Sequence, residues 1–232
     1  MRQRLKQRRR KSKNMKTLLV TDIHGDHEKL DKIIKRENFE AIICAGDLGD
    51  ANEYDEYKKN LEKVVEKFNQ KDKLVKAVPG NIDTEEECVQ TLRNHRINLH
   101  KKIGSFDGFE AVGFGGGITP FETPFEPDEE EIKETVEILQ KRMKSDTKVA
   151  VIHQPPKDTD VDIADGNHVG SQKVRELIEN SDFDLMVTGH IHESRGTDKI
   201  GETKIVNPGP VLEGYYAVAE ISDEIEVELK KM

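Results

Sequence analysis

The chain alternates between short apolar runs and longer segments in which apolar residues recur at helical spacing. Strands buried on both faces appear as unbroken apolar runs, whereas an amphipathic helix places apolar residues three and four positions apart. The alternation therefore predicts βα units around a largely buried sheet. Five runs are predicted strands: TLLV (17–20), AIICA (41–45), LVKAV (74–78), VAVI (149–152) and DLMVT (184–188).

Other segments complete this predicted α/β pattern. The residues 115–127 and 154–169 lack a sustained apolar period and are predicted to be long ordered loops. The C-terminal stretches ETKIVNPG, YYAVAEI and EIEVEL alternate like antiparallel strands, which indicates a second sheet or an antiparallel edge. Three helices are predicted from their apolar faces, which are Leu30, Ile33 and Ile34; Tyr54, Tyr57, Leu61, Val64, Val65 and Phe68; and Ile132, Val136, Leu139 and Met143.

Charge is divided unevenly along the chain. The 232 residues carry 37 Lys and Arg against 46 Asp and Glu, and residues 1–16 hold nine of the basic side chains and no acidic one. This leaves 28 basic against 46 acidic side chains in residues 17–232. We expect a basic, disordered N-terminal extension over residues 1–16 and one domain over residues 17–232. The acidic body disfavours binding to a nucleic acid backbone, for which only the tail supplies dense cations.

Cysteine content and hydropathy narrow the class of protein further. Only Cys44 and Cys88 are present, and they form no Cys-x-x-Cys pair, which excludes a disulfide scaffold and fits a reducing compartment. No apolar stretch approaches the roughly 18 to 20 residues of a membrane span. We expect a soluble, cytoplasmic protein without a membrane partner.

Candidate metal ligands follow each of the five predicted strands. Because ligands of open α/β sheets bind outside the carboxyl ends of the strands, we expect these side chains to converge at one rim. Asp22 and His24 are two residues apart, and an extended segment with this spacing directs both side chains to one side. His190 and His192 repeat the spacing. The candidate ligands are Asp22, His24, Asp47, Asn81, His153, His190 and His192.

The mixture of donors restricts the metal. Four imidazoles, two carboxylates and one amide suit Mn, Fe, Zn or Co, and they are a poor set for Cu(I) or for an all-oxygen calcium cage. Seven ligands are too many for one mononuclear site. Two ions about 3.5 to 4 Å apart that share one carboxylate would use them all.

The order of these residues resembles the motifs of the calcineurin-like metallophosphoesterase superfamily. That pattern is Asp-x-His, Gly-Asp-x-x-Asp, Gly-Asn-x-Asp or Glu, a lone His, and Gly-His-x-His. The stretches VIHQPP, GHIHESRG and VNPGP are further similar to a prokaryotic branch of predicted phosphoesterases related to the cyclic-AMP phosphodiesterase. The matching residues are Asp22 and His24; Asp47 and Asp50; Asn81 and Asp83; His153; and His190 and His192.

The resemblance implies a fold and a division of the ligands. The fold is a four-layer αββα sandwich with mixed sheets and a metal site at the carboxyl ends of the strands. Asp26, Asp50 and Asp83 are close to the ligands in sequence and are expected to orient them from behind, Asp50 or Asp83 by accepting an imidazole N–H. By this resemblance, one metal is held by Asp22, His24, Asp47 and His192, and the other by Asp47, Asn81, His153 and His190.

The activity implied is that of a dinuclear metal-dependent hydrolase. A hydroxide bridging the two ions would attack the phosphorus of a small phosphate ester, with phosphodiesters favoured over phosphomonoesters. Mn is the favoured metal, and Fe, Zn, Co and Ni are alternatives. Asp47, Asn81 and His190 are the predicted catalytic residues.

One position departs from the family pattern. Many members have a His directly after the Gly-Asn, where it contacts the phosphate and protonates the leaving group, but here the residue is Ile82. Loss of a general acid typically costs ~10²- to 10⁴-fold in rate. His27 and His168 are the candidate replacements for this proton donor.

Two other functions remain open from the sequence. The superfamily includes members that use the fold as a non-catalytic binding scaffold, and other members are nucleases. The complete ligand set argues against a scaffold. The acidic body and the lack of an added capping domain argue against a nuclease.

Overall fold

The computed structural model describes residues 14–51, 56–69 and 73–232. Within these residues five α-helices are present: α1 (His27–Arg36), α2 (Tyr57–Phe68), α3 (Glu85–Asn94), α4 (Glu129–Gln140) and α5 (Gln172–Glu179). The strands of the same residues are β1 (Met15–Val20), β2 (Ala41–Cys44), β3 (Leu74–Ala77), β4 (Lys102–Ser105), β5 (Glu110–Phe114), β6 (Lys148–Ile152), β7 (Ile163–Ala164), β8 (Asn167–His168), β9 (Leu185–Val187), β10 (Gly196–Ile200), β11 (Thr203–Asn207), β12 (Tyr215–Ile221) and β13 (Glu226–Lys231).

The strands form two large mixed sheets. The first has the order β13-β12-β1-β2-β3, in which β1, β2 and β3 are parallel and β12 and β13 form an antiparallel edge. The second has the order β10-β11-β9-β6-β5-β4, with four parallel strands between two antiparallel edge strands. The C-terminal strands are therefore shared: β11 joins the second sheet beside the parallel β9, and β12 and β13 join the first.

Three apolar cores separate four layers of structure. One core lies between the two sheets, a second joins the first sheet to α1, α2 and α3, and a third joins the second sheet to α4 and α5. This arrangement confirms the predicted four-layer αββα sandwich.

The burial of both sheet faces explains the unbroken apolar runs. In β1, Leu18 and Val20 enter the core beneath the helices, whereas Leu19 faces the other sheet. In β6, Val149 and Val151 face the first sheet, and the alternate residues of that strand pack against the helices of the second. Alternation in a strand directs successive side chains to opposite faces, so a strand covered on both sides needs apolar residues throughout.

The structure corrects several element boundaries. β1 begins at Met15, which is buried and pairs with Ile221, so this strand starts two residues before the predicted TLLV run. α4 ends at Gln140, and Met143 therefore reaches the core from the turn beyond the helix. The segment 154–169 contains the small β7–β8 hairpin. Tyr54 and residues 1–13 of the predicted extension lie outside the described residues.

In the parts of the chain that the structure describes, no helix combines the length and the apolar character that crossing a bilayer requires.

Candidate metal centre

The seven predicted ligands lie together, although they come from two sheets. Asp22 and His24 follow β1, and Asp47 and Asn81 follow β2 and β3, all of the first sheet. His153, which follows β6, and the histidines after β9 come from the second sheet. The prediction of a single sheet rim is therefore wrong in this respect, because the carboxyl ends of two facing sheets contribute.

The first group of ligands contains one carboxylate and two imidazoles at close range. The Nε2 atoms of His24 and His192 are 3.1 Å apart. His192 Nε2 is 3.4 Å from Asp22 Oδ1. Asp22 is fully buried and both histidines are partly exposed, so this group is open on one side.

The second group is more deeply buried and is centred on Asn81. Its Oδ1 atom is 3.1 Å from His153 Nε2 and 2.8 Å from His190 Nδ1. Asp47 joins the two groups, because its Oδ2 atom is 3.4 Å from His153 Nε2 and 3.8 Å from His24 Nε2. One carboxylate thus lies between two clusters of donors.

The backbone brings these side chains together in a way that the spacing argument did not predict. Asp22, His24, Asp47 and His190 have φ angles of 51°, 47°, 50° and 70°. The backbone is therefore left-handed at these four residues, so neither Asp-x-His nor His-x-His is the fully extended segment that was predicted. A left-handed conformation costs an L-residue roughly 1–2 kcal/mol, and strain of this kind gathers at functional sites.

Two glycines allow the ligand loops to approach one another. A Cβ at Gly80 would overlap the Asp47 carboxylate, and a Cβ at Gly189 would overlap the Thr21 hydroxyl. Any larger residue at either position would force the loop away from the ligands. The Gly-Asn and Gly-His steps of the sequence therefore serve close packing at the site.

Burial and opposite charge set the protonation of the second group. Burial raises the pKa of Asp47, but the charges of His153 and His24 and the hydrogen bonds from His153 and the Ile82 N–H together outweigh burial and hold it below its ordinary value. Burial lowers the pKa of His153, yet Asp47 and Asp22 together raise it to about 9. The two buried carboxylates therefore stabilise positive charge in the site.

The donors fit divalent cations on two further observations. Carboxylate and imidazole atoms lie within 4.8 Å of one another in two sets, Asp22 with His24 and His192, and Asp22 with Asp47 and His153. Asp22 Oδ2 is buried and has no hydrogen-bond partner among the described residues. A buried carboxylate oxygen without a partner is costly unless a cation satisfies it.

Comparison with known families agrees with this geometry. The sequence profile of the calcineurin-like phosphoesterases matches residues 15–194, a stretch that contains all seven candidate ligands. The chain belongs to the calcineurin-like phosphoesterases. Membership and the paired clusters together support a metal-dependent phosphoesterase with a dinuclear divalent metal site.

The similarity of this phosphoesterase to known proteins extends over most of the chain. The uncharacterised protein MJ1162 of Methanocaldococcus jannaschii is 36% identical over 204 residues, which are 85% of this chain and 89% of that protein. A dimetal phosphatase from Danio rerio has a TM-score of 0.68 at 12% identity and covers 94% of this chain and 96% of its own. The TT1561 structure of Thermus thermophilus has a TM-score of 0.67 at 20% identity, with coverage of 93% and 99%. At these identities the two structures show the fold alone.

Backbone carbonyls orient the histidines of the phosphoesterase. His153 Nδ1 is 2.7 Å from the Ala45 carbonyl oxygen, which leaves Nε2 facing Asn81. His190 Nε2 is 3.3 Å from the Ile118 carbonyl oxygen, which leaves Nδ1 facing the same amide. A carbonyl acceptor on one ring nitrogen fixes the tautomer that presents the other nitrogen as a ligand.

The three aspartates predicted behind the ligands have different roles. Asp83 is buried and accepts the backbone N–H groups of Leu48, Gly49 and Gly80 at 2.9 to 3.0 Å. It therefore braces the loops that carry Asp47 and Asn81. Its hydrogen-bond partners among the described residues include no imidazole, so of the two aspartates predicted to accept an imidazole N–H only Asp50 remains a candidate. Asp26 accepts the Lys29 N–H at 2.9 Å and so caps the N-terminus of α1. The predicted role of Asp50 stays a prediction.

The loop over residues 115–127 closes over the second ligand group. The Phe125 N–H donates to the Asn81 carbonyl oxygen at 3.1 Å, and the Ile118 N–H donates to Gln154 Oε1 at 2.7 Å. His100, which no sequence motif places near the site, accepts the Gly115 N–H through Nδ1 at 2.9 Å. Burial lowers the pKa of His100 to about 4, which keeps this acceptor neutral.

The two candidate proton donors have unequal surroundings. His27 is the first residue of α1, and its Nδ1 is 3.2 Å from the Gly25 carbonyl oxygen. His168 lies on the β7–β8 hairpin, is exposed, and places Nδ1 2.6 Å from the buried Asp162 carboxylate. The hairpin is tethered beside the His192 turn because the Ile163 N–H donates to Ser194 Oγ at 2.7 Å.

Proposed function

We propose that this protein is a cytoplasmic phosphodiesterase that hydrolyses small phosphate diesters with two divalent transition-metal ions. The observation that carries the proposal is the position of Asp47 Oδ2 between His24 and His153. A carboxylate placed between two donor clusters is the arrangement that a pair of ions shares. The free, buried Cys44 and Cys88 fit a reducing compartment.

The residues divide into two ligand sets around the shared carboxylate. Imidazole and oxygen donors in this proportion favour Mn, with Fe, Zn, Co or Ni as alternatives. Two such cations, when bound, would supply Lewis-acid chemistry: they lower the pKa of a water and neutralise charge on the phosphoryl oxygens. Asp22, His24, Asp47 and His192 would hold one ion, and Asp47, Asn81, His153 and His190 the other.

Strand β2, which precedes Asp47, offers no nucleophilic side chain. Cys44 is three residues before Asp47, but burial raises the pKa of its thiol far above the ordinary range. A thiol in that state is not a nucleophile at neutral pH. The role of the side chains is therefore to hold the cations, to position the phosphate and to donate a proton to the leaving group.

Diesters are favoured because position 82 is isoleucine. Ile82 packs against the core under the first sheet, and its N–H donates to Asp47 Oδ1 at 2.9 Å. The side chain has no proton to give at the place where many relatives have histidine. We therefore expect substrates whose leaving groups depart readily or receive their proton from elsewhere.

A substrate panel tests the proposed function. The full chain, purified with Mn²⁺, is expected to contain about two metal ions per molecule and to hydrolyse bis-p-nitrophenyl phosphate faster than p-nitrophenyl phosphate. The panel should also include cyclic nucleotides and single-stranded DNA. Less than one ion per chain together with an intact diester would indicate a binding scaffold, and preferential cleavage of DNA would indicate a nuclease.

His168 is the better supported of the two proton donors. A buried carboxylate that accepts one ring N–H holds the imidazole in a defined orientation, and the hydrogen bond to Asp162 raises the pKa of His168. The raised pKa keeps the acid form present at higher pH than an ordinary histidine, so the alkaline fall in rate should lie above about pH 6.5.

His168→Gln tests this role through the leaving group. For diesters with alkyl leaving groups we expect a loss of ~10²- to 10⁴-fold in kcat, because these groups need a proton as they depart. Hydrolysis of the p-nitrophenyl diester should change little. His27→Gln is the matched control, and the reverse result, a leaving-group-dependent loss in that variant alone, would assign the proton to His27.

A further inference from the structure

We infer that a groove at the neighbouring edges of the two sheets is a second anion-binding site, which takes small oligophosphates. The groove has a volume of about 600 Å³. Its cations are Lys76, Arg93, Arg96 and Lys102, and we call it the basic groove. Anion binding at this groove is independent of the proposed phosphodiesterase activity.

The basic groove is separate from the metal ligands. It lies between β3, the edge strand of the first sheet, and β4, the edge strand of the second, and the end of α3 forms its third side. The metal ligands lie beyond the carboxyl end of β3, whereas the groove begins at Leu74, the first residue of that strand. No ligand of the metal centre is among the described residues that line the groove.

The cations of the groove have no acidic partner among the described residues. No acidic residue is among the described residues that line it. Arg93, Arg96 and Lys102 form no ion pair within the described ranges, although the body of the chain carries 46 acidic side chains. By contrast, the neighbouring Lys101 pairs with both Glu85 and Glu131, at 3.1 Å and 2.8 Å.

Lys76 shows that this clustering has a cost. Its Nζ donates to the Arg96 carbonyl oxygen at 2.9 Å, and its stem packs against the position of Gly104. Burial and the charge of Lys102 both lower the pKa of Lys76. Like charges held together without a counter-charge destabilise a protein, and an anion bound between them would remove the repulsion.

Simpler roles explain single residues but not the set. Lysines on edge strands prevent edge-to-edge association, and an arginine in the last turn complements the carboxyl end of α3. Neither role requires Arg93 and Arg96 to share one concavity with both lysines. Their common feature is that they face the same volume.

The volume and the lining of the groove indicate which class of anion it binds. Guanidinium groups bind phosphate oxygens in a fork, and a volume of this size is that of a small-molecule site. The lining that the structure describes contains no aromatic side chain, so a nucleobase would not be stacked. The acidic body disfavours a long nucleic acid. Inorganic tripolyphosphate and the phosphate chain of a nucleoside triphosphate share the chemistry that remains.

Calorimetric titration with tripolyphosphate and with ATP tests the site. We expect both anions to bind the full chain, and Arg93→Ala/Arg96→Ala to weaken the binding of both at least ~10-fold, because each lost charged hydrogen bond corresponds to a tenfold change or more. Arg36→Ala/Arg142→Ala is the matched control, since it removes two exposed arginines elsewhere and should leave the dissociation constants unchanged. The tighter of the two anions in the unmodified chain identifies whether inorganic or nucleotide phosphate is the ligand.

A second measurement separates the groove from the metal centre. Binding should persist in an Asp47→Asn chain, in which the shared metal ligand is lost. Equal affinity in the unmodified chain and in Arg93→Ala/Arg96→Ala would overturn the inference. So would loss of binding in Asp47→Asn, because it would place the anion on the metal centre.

Discussion

Asp47→Asn is expected to lower the rate of diester hydrolysis by more than ~10²-fold while the chain stays folded. The Oδ1 atom of Asp47 accepts the Ile82 N–H at 2.9 Å, and an asparagine oxygen can accept the same bond. Its Oδ2 atom lies between His24 and His153, where an amide NH₂ cannot join two cations. Removal of a partner behind a metal ligand typically costs about 10- to 100-fold, so loss of the shared ligand itself should exceed that range.

The measurement is kcat and KM for bis-p-nitrophenyl phosphate with Mn²⁺ present, together with the melting temperature. Asp128→Asn is the matched control, because Asp128 caps α4 by accepting the Glu130 N–H and asparagine caps helices equally well. His190→Ala should also remove most activity, because it deletes one of the proposed ligands of the second group. Near-normal turnover in both Asp47→Asn and His190→Ala would show that the site is wrongly placed.

The clustering of the candidate ligands could be predicted because each of them follows the end of a strand. Each apolar run stops at a residue that cannot be buried without a partner, such as Asp22, Asp47 or His153. Burial on both faces also explains why the runs are unbroken. The sequence pattern could not predict how these strands divide between two sheets, because the division depends on pairings between distant segments, such as Met15 of β1 with Ile221 of β12.

The groups that orient the candidate ligands could not be predicted from the sequence. Main-chain carbonyls of Ala45 and Ile118 orient His153 and His190, and any residue type could supply them. The left-handed backbone at Asp22 and His24 also has no signal in the sequence, since neither residue is glycine. His100 is distant in sequence from every motif, and it holds the loop over residues 115–127 by accepting the Gly115 N–H.

The electrostatics of the site explain why a metal should affect stability as well as rate. Asp22 and Asp47 are both buried. Burial and the charge of Asp47 raise the pKa of Asp22, but the hydrogen bond to His192 and the charges of His153 and His192 outweigh them and hold it below its ordinary value. Asp83, buried behind them, has its pKa raised to about 6 by burial and by the charge of Asp47. Because Asp22 and Asp47 face the candidate site and Asp22 Oδ2 has no hydrogen-bond partner among the described residues, the folded chain should bind cations more tightly than the unfolded chain.

Chelation is therefore expected to abolish diester hydrolysis and to lower the melting temperature, and added Mn²⁺ should restore both. A cation that binds only the folded state at a hundredfold excess over its dissociation constant stabilises the protein by about 2.7 kcal/mol. For a domain of this size each kcal/mol shifts the melting temperature by about 2–4 °C, so the expected shift is ~5–10 °C for each ion. Scanning calorimetry of the unmodified chain, of Asp47→Asn and of Asp128→Asn with and without EDTA measures it. The shift should be smaller in Asp47→Asn and complete in Asp128→Asn, because only the first variant removes a ligand shared by both donor clusters. An unchanged melting temperature in the chelated, unmodified chain would mean that these buried carboxylates hold no cation.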